Sequence, residues 1–406
     1  MDTGDTAWML MSTALVMVML PGLALFYGGL VRSKNVLSTV MHSFFGLALV
    51  SVVWVVVGFS LAFGPDLGGL GLIGSLDFAM FNGVGLAPST VYATTIPFVL
   101  FAAFQLMFAA ITPALITGAF AERKRFAAFV LFTILWSIFV YSPIAHWVWS
   151  TDGWLFKLGA LDFAGGTVVH ISSGVSALIV ALLIGKRTTN GEATTPHDVP
   201  MTVLGAGLLW FGWFGFNAGS ALSAGGLAAS AFIVTNTSAA AATITWVLAS
   251  YLHKGKASVI GAACGAVAGL VAITPASGFV SVGGSLFIGL AAGGLCYSAT
   301  LLRERIKVDD ALDVFAVHGV GGMFGALATG VFATAAVQPA FTGLLEGNGL
   351  QLMNQGIAVV AVISYAVLAT FVIVKVVDVI LGIRVKPADE ALGLDLSAHG
   401  EVAYQV

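Results

Sequence analysis

The chain has 406 residues, of which 59% are hydrophobic and 9% charged, with a formal net charge of -3. A soluble domain carries about 25% charged residues. These values, with a mean hydropathy of +1.01, exclude a soluble enzyme and give no basic nucleic-acid signal; they indicate an all-α polytopic membrane protein. The two cysteines, Cys264 and Cys296, both lie in apolar runs, so neither a disulfide framework nor a metal cluster is expected.

In chain order, the opening MDTGDTAWML has two acids and no positive n-region, so the first apolar run reads as a retained span rather than a cleavable signal peptide. About 20 apolar residues cross a bilayer. On that measure the stretches 6–31, 35–65, 126–151, 163–185, 314–345 and 347–374 each supply one span. Stretch 78–121 counts once, because its first part, FNGVGLAPST, is too rich in Gly, Pro and Asn to be a span. Stretch 199–252 is double length and breaks at NAGSALSAGG (217–226), and 257–302 breaks at TPASG (274–278). The expectation is eleven transmembrane helices. The 50 glycines suit helices that pack closely through small residues.

Charge supports the same count. Taking every second loop, fifteen of the sixteen Lys and Arg residues fall on one side, and Lys157 alone falls on the other. Positive residues stay inside, so the N-terminus is expected outside and the C-terminus inside. Helices one to five and six to ten are then odd sets, which makes an inverted 5+5 repeat followed by a final long helix. The expected boundaries are a transmembrane unit over 1–381 and a cytoplasmic tail over 382–406. Within the first, the repeats run over about 6–186 and about 199–338, and the eleventh helix over about 350–381.

Two histidines stand out. His170 in LDFAGGTVVHISSG and His318 in LDVFAVHGVGG lie in apolar runs, in the fifth helix of each half. An ionisable side chain at that depth is costly unless it faces protein or a pore, so both are candidate functional residues that an inverted pseudo-twofold brings together near the midplane. A lone intramembrane histidine often only links helices; two in equivalent positions argue for a site. The other five take the bland reading: His42 and His146 sit near helix ends, His197, His253 and His399 lie in cytoplasmic segments, and none has an equivalent in the other half. Asp162 and Asp313, each following a Leu near the start of a span, read as N-caps or helix-dipole partners.

The run GALDFAGGTVVHI (159–171) resembles the signature of the ammonium transporter family, Amt/MEP/Rh, in its bacterial and archaeal Amt branch. PGLALFYGGLVRSKN (21–35), WFGFNAGS (213–220), AGLVAITPASGFV (268–280), DVFAVHG (313–319) and the tail stretch GLDLSAHGEVAY (393–404) are similar to it as well. The resemblance covers the chain in order. It implies membrane transport of ammonium or ammonia, with methylammonium as a possible congener, by a homotrimer in the cell (cytoplasmic) membrane, with one hydrophobic pore per chain and no cofactor. Residue by residue, it implies that Phe108, Trp149 and Ser220 form an outer recruitment site, that Phe108 and Phe216 form the gate beneath it, and that His170 and His318 are the twin pore histidines. Asp162 is implied as a buried supporting acid. For the tail, the resemblance implies control by a cytoplasmic PII-type signalling protein that plugs the inner pore mouths.

The residue chemistry suits these roles. A cation over an aromatic face gains roughly 0.5–2 kcal/mol, and a serine hydroxyl accepts a hydrogen bond. Trp149 otherwise reads as an interfacial tryptophan, and Phe108 and Phe216 are two of 29 phenylalanines, without distinction from composition alone. No GxxxxGK[ST] motif is present, so transport is expected to follow the substrate's gradient, and no feature suggests an enzyme. Two rivals remain: an ammonium-binding sensor that signals to a cytoplasmic partner, and a generic solute transporter with broken helices.

Overall fold

The computed structural model describes residues 1–189 and 194–404, so the last two positions of the expected tail lie outside the described residues. Among the described residues, ten helices are long and apolar enough to cross a membrane. In order they are α1 (Thr3–Leu30), α2 (Ser33–Phe63), α3 (Phe98–Phe120), α4 (126–149, closed by the short helix Trp154–Leu158), α5 (Gly166–Ile184), α6 (Val199–Ala221), α7 (Gly226–Lys254), α9 (Val282–Ile306), α10 (Phe315–Phe332) and α11 (Gly349–Leu381). Between α7 and α9 lies α8 (Val259–Ile273), apolar but only 15 residues long. Tight turns extend it, with the N–H groups of Thr274, Ala276 and Phe279 each bonded to a carbonyl three residues back.

The helices start and stop where the sequence punctuates them. Asp2, Asp198, Ser258, Ser281 and Asn348 cap α1, α6, α8, α9 and α11 by accepting a backbone N–H with the side chain. The Gly- and Pro-rich segment before α3 stays out of the helix, as expected, and forms a small antiparallel ladder between Pro88–Ser89 and Ala93–Pro97. The α6–α7 break is shorter than 217–226, because Asn217 remains helical and its amide donates to the Thr235 hydroxyl at 2.9 Å. The final helix is longer than its charge-free run, continuing past Lys375 and Asp378 to Leu381.

The pairs that an inverted repeat would juxtapose are in contact: α1 against α6, and α5 against α10. Small residues let both approach. A Cβ on Gly205 of α6 would lie 2.2 Å from the Phe26 nitrogen of α1, and one on Gly174 of α5 would lie 2.2 Å from the Gly319 nitrogen of α10. No larger side chain fits without moving backbone, which is how these helices cross at their closest point.

The basic loops gather at one end. Arg32 pairs with Glu122 at 2.8 Å, Arg187 with Asp309 at 2.9 Å, and Arg384 with Glu390 at 2.8 Å. Arg123 donates to the carbonyls of Gly185, Ala121, Ala119 and Asp309. Burial pushes the Asp309 carboxyl up, but Arg187 and Arg123 outweigh it and hold it below its ordinary range. The segment after α11 docks on this end. Asp395 accepts from the N–H groups of Leu37 and Ser38, Asn35 accepts from Leu394, and Lys34 donates to the Ala391 carbonyl.

Candidate functional site

His170 and His318 lie in matching local structures. Each sits on a wide, π-type turn, Gly166–Ile171 in α5 and Phe315–Gly319 in α10, and another of the chain's π-type turns, Phe214–Ala218 in α6, carries Phe216. A π-turn holds one extra residue, which rotates the side chains that follow; such turns concentrate at functional sites. Both imidazoles lie between α5 and α10.

The two rings face each other with Nδ1 atoms 3.2 Å apart and ring centroids 5.3 Å apart. Both residues are buried. Hydrogen-bond accounting fixes the pattern. One Nδ1 must donate and the other accept, and a neutral imidazole carries a single proton. The donor ring therefore keeps a bare Nε2, and the acceptor ring an Nε2–H. The pair offers one acceptor and one donor to whatever passes, and Nε2 of His170 is buried without a partner.

An aromatic series leads to this pair from the end opposite the basic loops. A cavity of about 220 Å³ is lined by Phe104, Gln105, Phe108, Trp149 and Ser220, among others. The Trp149 indole N–H donates to the Asp162 carbonyl at 3.0 Å, which fixes its ring at the rim. Ser220 donates to the Phe216 carbonyl at 2.8 Å, leaving its oxygen lone pairs free to accept. Trp149 meets Phe108 edge-on at 5.7 Å, and Phe108 and Phe216 lie over one another at 4.2 Å. Phe216 is 6.0 Å from the His170 ring. Beyond it the space around the histidines, lined by Leu23, Ile111, Trp213 and Phe216, is only about 10 Å³, room for about one water-sized molecule.

Asp162 behaves as its position suggests. Its carboxylate accepts from the N–H groups of Gly165, Gly166 and Thr167 at 2.7, 2.6 and 2.7 Å, from that of Val168 at 3.3 Å, and from the Thr167 hydroxyl. Burial pushes the carboxyl up and the Thr167, Gly165 and Gly166 donors oppose it. Burial outweighs these donors and holds the carboxyl above its ordinary range. Asp313 is a correction. The N–H of Phe315 is accepted by Asp310 at 2.7 Å, while Asp313 stands at φ +58° and pairs with Arg303 at 2.7 Å. Capping of α10 falls to Asp310 because the chain turns back at Asp313 before the helix begins.

Sequence reasoning passed over Gln105 and Trp213. The Oε1 of Gln105 is buried without a partner beside the outer cavity. Trp213 stacks on His170 at 5.4 Å while its N–H donates to the Thr274 hydroxyl at 2.9 Å. Trp213 lies in the quoted stretch WFGFNAGS, but nothing in its spacing separates it from a core tryptophan.

A bundle of membrane-spanning helices enclosing two compartments, divided by stacked aromatic rings, defines a transmembrane transport protein. A family model described as Ammonium Transporter Family matches residues 7–404. The ammonium transporter of Bacillus subtilis (strain 168) is 51% identical over 407 residues, covering 100% of this chain and 99% of that protein. Among solved structures, Candida albicans Mep2 superposes with a TM-score of 0.90 at 38% identity, over 96% of this chain and 88% of that one. A structure described as Sensor Amt Protein gives 0.89 at 31% identity, over 97% and 98%. The chain belongs to the ammonium transporter family; its function is ammonium transport, not enzymatic catalysis.

Proposed function

We propose that ammonium is recruited at Trp149, Phe108 and Ser220, gives up a proton to the water of the outer cavity, passes the gate of Phe108 and Phe216, and crosses along His170 and His318 as ammonia. The observation that carries this reading is the unbroken run of ring contacts from Trp149 through Phe108 and Phe216 to His170, ending at the 3.2 Å contact with His318. Ammonium and potassium ions are alike in size and charge, so radius cannot separate them. They differ in hydrogen bonding and in the ability to lose a proton. A compartment with room for about one water cannot hydrate an ion, and burying an unpaired charge costs many kcal/mol. Neutral ammonia, by contrast, can donate to one imidazole nitrogen and accept from the other. Direct ligation by Asp162 would hold potassium equally well, and its oxygens already have donors.

In this reading α8 is the eleventh span, the N-terminus is outside and the C-terminus inside. Each chain carries its own pore in a homotrimer in the cytoplasmic membrane. The alternation of basic loops and the turns that extend α8 support the topology, and family membership supports the trimer. The test is uptake into proteoliposomes. Trp149→Leu preserves apolar bulk but removes the aromatic face, so the apparent KM should rise roughly three- to five-fold, the scale of a cation–π contact at a wet site. An unchanged KM would remove Trp149 from recruitment. The same assay separates transporter from sensor, since a sensor binds ammonium without moving it.

The docked tail is proposed to regulate. Its bonds to Asn35, Leu37 and Ser38 tie it to the start of α2, and Glu390 accepts from Arg384 and from the Thr188 N–H. A trimeric PII-type protein at the inner mouths is the proposed partner. Deleting 382–406 should lower or deregulate flux while the membrane assembly survives; normal flux together with unaltered PII binding would refute the role.

A further inference from the structure

At the mouth that carries Trp149, the loop between α2 and the segment before α3 closes on itself. Leu67 N–H donates to the Ile73 carbonyl at 2.8 Å, and Ser75 N–H to that of Pro65 at 2.7 Å. From this loop, contacts reach α4 on both sides of Trp149. Before it, the loop's Asp66 carboxylate lies 3.2 Å from Nε2 of the His146 ring, whose Nδ1 is 3.0 Å from the Ala62 carbonyl at the end of α2. The Trp147 indole N–H donates to the Leu72 carbonyl at 2.8 Å. After it, the Trp154 N–H donates to the Gly71 carbonyl at 3.2 Å.

Both nitrogens of His146 face acceptors. The ring is therefore held from both sides, by a backbone carbonyl and by a carboxylate. Burial pushes the Asp66 carboxyl up, but the amide N–H groups of Gly71 and Gly69 and the His146 ring outweigh it and hold it below its ordinary range. The contact thus joins the Asp66 carboxylate to a His146 ring that is fully buried. It lies one helical turn before the tryptophan that meets the substrate.

We propose that the 64–74 loop is a clamp on the last turn of α4, and that Asp66, acting through His146, is a positioning residue for cation recruitment at Trp149. The inference rests on the recruitment reading above. The clamp holds the backbone on either side of Trp149, while the Asp162 carbonyl holds its indole N–H. Together they keep the ring face turned to the outer cavity. Loosening the clamp lets the ring swing, which weakens capture without touching the gate or the histidines.

The experiment measures concentration dependence of uptake in proteoliposomes for Asp66→Asn, Gly71→Ala, Trp149→Leu and the Asp66→Asn/Trp149→Leu pair. Gly71 stands at φ +70°, and a Cβ there would lie 2.5 Å from the Trp154 nitrogen, so alanine displaces the loop independently of the Asp66–His146 contact. Asp152→Asn, which loses only an exposed contact with Lys157, controls for negative charge at the mouth. Asp66→Asn and Gly71→Ala should each raise KM by roughly three- to five-fold at an unchanged maximal rate, as Trp149→Leu does. The pair should be no worse than Trp149→Leu alone, as coupled sites are, and Asp152→Asn should match the parent. Should Asp66→Asn fail to assemble, Gly71→Ala and Trp147→Phe decide. Parent-like KM in the loop variants beside a raised KM in Trp149→Leu overturns the clamp. So does an additive pair, or a loss of maximal rate alone. An unchanged KM in Trp149→Leu overturns the recruitment reading itself.

Discussion

Alanine at His170, at His318, or at both should depress ammonium uptake by similar amounts, roughly ten-fold, the scale of one or two lost hydrogen bonds to the passing molecule. Similar single and double effects are expected because the rings share one Nδ1–Nδ1 bond at 3.2 Å. Removing either partner frees the other to turn, so the second truncation removes little that remains. A charge is more telling than a truncation. His170→Asp sets a fixed carboxylate in a compartment where the parent offers only neutral rings, and so provides the electrostatic compensation that a dehydrated potassium ion lacks. Ammonium flux should fall and a potassium current should appear. Uptake and conductance in proteoliposomes report both. Parent-like ammonium flux with potassium still excluded in His170→Ala and His170→Asp alike would make the histidines structural.

Asp162→Asn is expected to act on the assembly before it acts on transport. The carboxylate oxygens face four backbone N–H groups and one hydroxyl. An amide has a single acceptor oxygen, and its NH₂ would point at donors. The loss should be about 3–5 kcal/mol, as for a buried charge network deprived of one member. The start of α5, which carries His170, should loosen with it, and so should the Trp149 ring that leans on the Asp162 carbonyl. Thermal unfolding in detergent measures this. If Asp162→Asn unfolded at the parent temperature yet failed to transport, the carboxylate would be acting on the ion instead.

Much of the architecture was legible because lipid imposes it. Charge-free runs mark the helices, and the alternation of Arg and Lys separates the ends. The two histidines were legible by position, since a titratable group in an apolar run needs a reason. Phe108 and Phe216 were not: their proposed role as a gate rests on a ring contact at 4.2 Å, and 29 phenylalanines give no periodicity that selects two. The π-turns have no composition signal at all. Asp313 misled because local order favours it as a cap, whereas a backbone reversal at φ +58° hands the Phe315 N–H to Asp310. His146 has no equivalent in the second half, and its partner, Asp66, lies 80 residues away on a loop whose glycine-rich sequence shows nothing of its closure.

The bond between the two Nδ1 atoms gives the pair a polarity, and a polarity has to be restored. Suppose a proton enters at the bare Nε2 of one ring, the shared proton hops, and the far Nε2 releases its own. Charge has crossed, but each ring is left as the other tautomer, with the entry nitrogen filled and the exit nitrogen empty. A second hop in the same direction must wait for both imidazoles to turn over, and His170 is wedged against Trp213 at 5.4 Å. A relay of this kind carries a recovery step in every cycle, whereas ammonia sliding past the edges leaves the tautomers as they were and can be followed at once by another.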